Sequence, residues 1–186
     1  MQCGIDEAGR GCLAGPVVAA ACVLPEGFPT EILKDSKKLS PRRRLKIKGI
    51  IRGCARWGIG LADEKEIDGI NILRASLLAM ERAWVALHRS FAGSGVCPEV
   101  LVDGPYCPPG IDAPCTACVH GDAIHPPIMA ASILAKCERD RIMCGYDRLY
   151  PQYQYAIHKG YPTARHRELC RTLGPSPIQR LSFTVR

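Results

Sequence analysis

The chain is poor in aromatic residues, which make up 6% of its 186 positions. Its core must therefore be assembled mainly from Ala, Val, Ile and Leu. It has no apolar run long enough to span a membrane, no internal repeat and no low-complexity tract, which excludes solenoids and integral membrane helices. The one stretch that mimics a secretory leader, "CLAGPVVAAACVL", is broken by Gly15-Pro16 and preceded by Asp6 and Glu7 against a single Arg10. That is the wrong charge for such a segment, so it reads as a buried strand in a cytosolic protein. Second C-x-x-C pairs are also absent. The 11 cysteines include only one such motif, Cys115 to Cys118, with Cys97 and Cys107 nearby. A structural zinc site usually needs two pairs, and a redox motif would open a helix. These thiols therefore read as small, buried and reduced.

Charge is abundant but uneven. Of the net +7, residues 34–56 hold +9 and residues 156–186 hold +5, leaving −7 on the rest. An acidic body with two basic segments suits a protein that grips a polyanion and keeps carboxylates for chemistry. A solvated basic helix face is the plainer alternative.

Residues 1–6 and 14–24 read as strands joined by the "EAGRG" turn. Ser40-Pro41 opens a helix with Ile47, Ile50, Ile51 and Cys54 inward and Arg42–Arg44, Lys46 and Lys48 largely outward. "RWGIGLA" (56–62) is a third strand. Asn71 caps a long helix whose core face is Leu73, Leu77, Met80, Trp84 and Leu87. "EVLVD" (99–103) and "CTACV" (115–119) are further strands. Pro126-Pro127 opens a helix with Ala130, Ile133, Leu134 and Cys137 on one face and Ser132, Lys136 and Arg139 opposite. Thr163 caps a last helix that stops at Gly174-Pro175. The sum is an α/β fold with a mixed sheet and a helical C-terminal part.

Asp6, Glu7, Asp103 and Asp122 lie at or just past strand ends, where a rigid sheet aims side chains at one point. Clustered carboxylates repel unless a cation neutralises them. Hard oxygen donors without His or Cys select Mg²⁺ or Mn²⁺, a set suited to two-metal phosphodiester hydrolysis. Asp63 and Asp112 are not excluded by spacing. Consecutive strand residues point to opposite faces, so either the chain bends at Glu7 or one of the pair is structural. "GIDEAGRG" lacks the G-x-G-x-x-G order of a dinucleotide loop; its two glycines let backbone approach a ligand closely. A charged hairpin turn is the bland alternative.

Taken together, "GIDEAGRGCLAGPVVAAACVL", "DSKKLS", "EIDGINILRASLLAMERA", "VDG", "GDA", "AASILAKCERD", "YPQY", "HKGYPTARH" and "LGPSPIQRLSF" resemble, in order and spacing, the bacterial ribonuclease HII family from about residue 3 to 183. The resemblance implies a ribonuclease H-like mixed five-stranded sheet flanked by helices, with a core over about 1–145 and a substrate-binding segment over about 146–186 of one domain. It implies an endonuclease that hydrolyses the RNA strand of RNA–DNA hybrids. Such an enzyme also cuts 5′ of single ribonucleotides in duplex DNA, leaving 3′-hydroxyl and 5′-phosphate ends. Asp6, Glu7, Asp103 and Asp122 match the family's catalytic, metal-binding acids, for two Mg²⁺ or Mn²⁺ ions, with the strand distorted at Glu7. Gly9, Arg10 and Gly11 match the turn that contacts the ribose 2′-hydroxyl, and Tyr161 the tyrosine packed on the next sugar. Lys37 and Asn71 would touch the duplex backbone or minor groove. For Arg139 a salt bridge to a nearby acid is the simpler role, and for His158 and His166 a surface or capping one. A monomer without membrane attachment is expected. A non-catalytic hybrid-binding module would lack the acid cluster, and a zinc or redox protein would use Cys115 and Cys118.

Overall fold

A computed structural model describes residues 1–33, 40–93, 95 and 97–185; Lys37 lies outside them. Five strands form one sheet: β1 (Gln2–Ala8), β2 (Val17–Val23), β3 (Arg56–Ala62), β4 (Glu99–Asp103) and β5 (Cys115–Cys118), in the order β3-β2-β1-β4-β5. β1–β2 and β2–β3 pair antiparallel, whereas β1–β4 and β4–β5 pair parallel. The sheet is thus the mixed one expected from the sequence.

Every residue of β2, VVAAACV, is buried, because helices cover both faces of the sheet. On one face α2 (Glu64–His88) packs Ala75, Ala79, Met80, Ala83, Trp84 and Leu87 against Ile5, Val17, Ala19, Ala21 and Val102. On the other, α1 (Pro41–Cys54) and α3 (Pro126–Leu149) pack Ile47, Ile51, Ala130, Ile133, Leu134 and Cys137 against Ala20 and Cys22. Small side chains on β2 let both layers approach closely, which is how a core with few aromatics is filled. The short α4 (Tyr155–His158) and the amphipathic α5 (Ala164–Leu173) follow. Among the described residues no helix is long and apolar enough to cross a membrane.

Caps explain the helix starts. Ser40 accepts from the Arg43 N–H, with Pro41 at the first helical position, and Thr163 accepts from the His166 N–H. α2 begins seven residues before the expected Asn71, because Asp63 and Glu66 form a reciprocal capping box. Asn71 instead sits at a kink inside α2, with φ 67°, where its side chain accepts from the Leu73 and Arg74 N–H groups and caps the second half. Leu73 is therefore exposed rather than on the core face. Ile50 and Cys54 likewise face solvent, while Arg44 and Lys48 turn toward α3, pairing with Asp140 (3.7 Å) and Glu138 (3.5 Å). The core stripe of α1 is narrower than its apolar spacing implies.

Candidate active site

β1 carries Asp6 and Glu7 on its last turn of ladder. The parallel pairing with β4 ends at Ile5 opposite Val102, so Asp103 at the end of β4 comes next to Asp6. The ladder carries no bulge at Glu7. The antiparallel register with β2 runs unbroken through Glu7 opposite Ala19 and Ala8 opposite Val18. Asp6 lies on the α3 face, where Ser132 bonds it, and Glu7 lines the same cleft as Ser132 and Lys136 of α3. Asp122 lies in a 3₁₀ turn after β5, and its backbone N–H donates to Asp103 Oδ1 at 3.3 Å. The sheet therefore gathers all four acids at one end.

Electrostatics follow from that placement. Asp6 is 5% exposed, and burial, then the charges of Glu7 and Asp103, hold its carboxyl well above the usual carboxylate range. Burial also raises Glu7, offset in part by Arg10, whose Nη1 donates to Glu7 Oε1 at 3.3 Å. Glu7 Oε2 is buried with no hydrogen-bond partner among the described residues. Repelling buried carboxylates with an orphan oxygen fit a hard divalent cation. Among the described residues no group of three or more His, Cys, Asp or Glu is placed to hold a metal ion by itself. Magnesium-type sites seldom have one, since water and substrate phosphate complete them.

Beside the acids, a cleft of about 330 Å³ is lined by Glu7, Ala8, Gly9, Arg44, Ser132, Ile133, Lys136 and Tyr161. Tyr161 is 37% exposed and lies near two cations, with Lys136 Nζ 5.1 Å and Arg139 Cζ 5.7 Å from its ring centre. The Gly-Arg-Gly turn is held from below. Gly9 has φ 101°, and a Cβ there would fall 2.0 Å from Arg139 Nε, so only glycine fits. Gly11 and Arg10 are exposed.

Among the described residues Arg139 does not make the expected salt bridge. Wholly buried, it donates to three carbonyls, Pro16 (2.9 Å), Lys159 (2.8 Å) and Ala14 (3.1 Å). Arg180, which the sequence reading passed over, does the same for Gly15, Arg10 and Gly9. "RLSF" offered no local signal for that role. His158 and His166 are buried and stacked on each other, not surface groups. Asp63 and Asp112 have structural work: one caps α2, the other accepts from Trp84 Nε1 at 2.8 Å. The cysteines are unbridged; Cys97 is exposed, and Cys107, Cys115 and Cys118 are half-buried rather than in the core.

Comparison with known proteins gives this arrangement a family. The Ribonuclease HII family model matches residues 3–186. The ribonuclease HII of Treponema denticola is 47% identical, over 100% of this chain and 99% of its own. The crystal structure of ribonuclease H2 from Pyrococcus horikoshii OT3 superposes with a TM-score of 0.75 at 29% identity, covering 99% of this chain and 94% of that one. That of Bst-RNase HIII in complex with Mn²⁺ has a TM-score of 0.82 at 20% identity, covering 99% and 67%, and shares the fold. With its ribonuclease H-like sheet and a match over nearly its whole length, the chain belongs to the ribonuclease HII family of endoribonucleases.

Proposed function

We propose that this protein is a divalent-metal-dependent endonuclease. It hydrolyses the RNA strand of RNA–DNA hybrids and cuts 5′ of single ribonucleotides embedded in duplex DNA, leaving 3′-hydroxyl and 5′-phosphate ends. The observation that carries the reading is the cluster of carboxylates, the largely buried Asp6 and Glu7 with Asp103 beside them, and its orphan oxygen Glu7 Oε2. Asp6, Glu7, Asp103 and Asp122 would hold two ions, Mg²⁺ or Mn²⁺. When bound, such ions activate water and stabilise the leaving oxygen.

The rest of the chemistry belongs to the protein. Gly9, Arg10 and Gly11 present backbone to the ribose 2′-hydroxyl, the group that separates RNA from DNA. A turn clamped through its carbonyls, as Arg180 clamps Gly9 and Arg10, suits that work because a loose one could not read a single hydroxyl. Tyr161, with Lys136 and Arg139 close to its ring, packs on the following sugar and disfavours a second ribose there. Lys136 and Arg44 line the same cleft and give a phosphate backbone cationic neighbours, which position without reading sequence. Asn71 and Lys37 are assigned to duplex contacts; the left-handed backbone of Asn71 on the exposed kink of α2 is the kind of local strain that clusters at binding sites. In this reading residues 1–145 or so supply the chemistry, and residues from about 146 onward supply the junction contact.

The test is cleavage of a labelled DNA duplex containing one ribonucleotide, in Mg²⁺ and in Mn²⁺, with Asp103→Asn as control. A single 5′-side cut by the wild type, abolished by chelation and by the substitution, is the expected result. Cleavage of a long hybrid alone would discard the roles of the Gly-Arg-Gly turn and Tyr161 and keep the acids. Cleavage of neither substrate would refute the reading.

A further inference from the structure

Outside the acid cluster, two histidines are buried without a task in the chemistry. His158 ends α4 and is 6% exposed; His166 lies in the first turn of α5 and is 0% exposed. Their rings stack with centres 4.1 Å apart and planes 15° apart, and Tyr155 meets both edge-on at 5.6 Å. Each ring grips backbone of the turn that carries Tyr161. The Gly160 N–H donates to His158 Nδ1 at 3.1 Å, and His166 Nδ1 lies 3.0 Å from the Tyr161 carbonyl.

These bonds dictate the protons. His158 Nδ1 accepts, so it carries no hydrogen, and Nε2 donates to the Tyr153 carbonyl at 2.8 Å. His166 Nδ1 faces a carbonyl, so it carries the hydrogen, and its buried Nε2 has no partner among the described residues. Both rings are therefore neutral. Burial keeps both below the ordinary histidine range, and the nearby Asp147 and Lys159 act on His158 with opposite sign. The far side of the turn is fixed as well. The Leu13 N–H donates to the Gly160 carbonyl at 2.8 Å, and a Cβ on Gly160 (φ 80°) would fall 2.5 Å from the Ala14 carbonyl oxygen.

We infer that His158 and His166 are positioning residues for Tyr161, a neutral stacked pair that sets the height and angle of its ring over the Gly-Arg-Gly turn. Selectivity for the RNA-to-DNA junction then depends on side chains that never touch the substrate. The inference rests on Tyr161 being the contact to the following sugar.

The experiment compares kcat/KM on two duplexes, one with a single ribonucleotide followed by DNA and one with a run of ribonucleotides. The variants are His166→Ala, His166→Asn, His166→Gln, Tyr161→Ala and the double variant His166→Ala/Tyr161→Ala. Asparagine can place an amide N–H where Nδ1 stands, whereas glutamine places it one atom farther out. His166→Ala and His166→Gln should lose roughly five- to tenfold of the discrimination, the size of one lost hydrogen bond, and His166→Asn should keep most of it. The double variant should discriminate no worse than Tyr161→Ala alone. Equal discrimination by the Asn and Gln variants would overturn the inference, even if His166→Ala did not fold. So would a His166→Ala effect that persists undiminished without the Tyr161 ring. Unchanged discrimination in Tyr161→Ala itself would instead refute the reading of Tyr161, and the inference with it.

Discussion

The guanidinium of Arg180 donates to the Gly9 carbonyl at 2.8 Å from a wholly buried position 171 residues along the chain. Its other nitrogens hold Arg10 and Gly15, so one side chain from the C-terminal segment fastens the turn that follows β1. Backbone completes the latch: Arg180 N–H donates to the Leu13 carbonyl, and Gly15 N–H to that of Ile178. The C-terminal segment thus forms the floor under that turn.

Arg180→Lys tests the latch. An ammonium on a flexible stem cannot reproduce a three-way planar fork, so at least one of the buried carbonyls loses its donor. Unfolding in denaturant should show a loss of about 2–4 kcal/mol. In the fraction that remains folded, KM for the single-ribonucleotide duplex should rise more than kcat falls. A loss under about 0.5 kcal/mol would mean that water or a neighbour replaces the fork.

Gly9→Ala and Gly11→Ala separate two neighbouring glycines. A methyl group at Gly9 collides with Arg139 and needs a left-handed backbone, while at Gly11 it meets nothing within 4 Å. Gly9→Ala should cut cleavage by at least about a hundredfold, as a misplaced turn would. Gly11→Ala keeps its N–H and should stay within about threefold of wild type, since its change in stability is of the surface class. Equal losses at both positions would show that side-chain space, not backbone placement, governs the turn.

Local signals were legible and long-range ones were not. Asp103 at the end of "EVLVD", the caps Ser40 and Thr163, and the convergence of four acids all follow from patterns within a few residues or from strand ends sharing a sheet edge. The Asp63–Glu66 box was equally local, a D-x-x-E before an apolar run, but the stronger apolar stripe after Asn71 drew the helix start too late. The carbonyls that bind Arg139 and Arg180 lie 20 to 171 residues away, and carbonyls leave no mark in a sequence. Nor does the stacking of His158 on His166, which needs the turn at Gly160 to fold the rings together.

Asp6→Asn should abolish cleavage and, in chelator at neutral pH, raise the melting temperature. The Asp6 carboxyl is held above its ordinary range in the folded chain. As pH rises through that range the unfolded chain ionises first and gains relative to the folded one. Asparagine removes this handicap, worth an increase of about 2–6 °C for a chain of this size. The gap should close at acid pH, where the wild-type group is protonated in both states, and also when Mg²⁺ or Mn²⁺ is added to the wild type. A lower melting temperature for Asp6→Asn in chelator would show that the Ser132 bond outweighs the repulsion.

The histidine pair gives the opposite pH dependence. Burial, opposed in part by the bond to the Tyr153 carbonyl, lowers His158 to about 4, whereas an unfolded histidine titrates near 6.5. Above that range both states are neutral and the contribution to stability is fully present. As pH falls from about 6.5 to about 4, the unfolded chain takes the proton while the folded one resists it, and the contribution is lost. Asp6 and Glu7 pull the other way, so the diagnostic quantity is the difference in unfolding free energy between wild type and His158→Asn, measured at pH 7 and pH 5. Wild type should lose more than the variant over that interval. Because protonated His158 can no longer accept from Gly160, selectivity for the junction should hold in wild type down to about pH 5 and fall only as the pH approaches about 4. In Tyr161→Ala, where the ring is gone, selectivity should be flat with pH. A parallel decline in both proteins would place the titrating group among the acids instead.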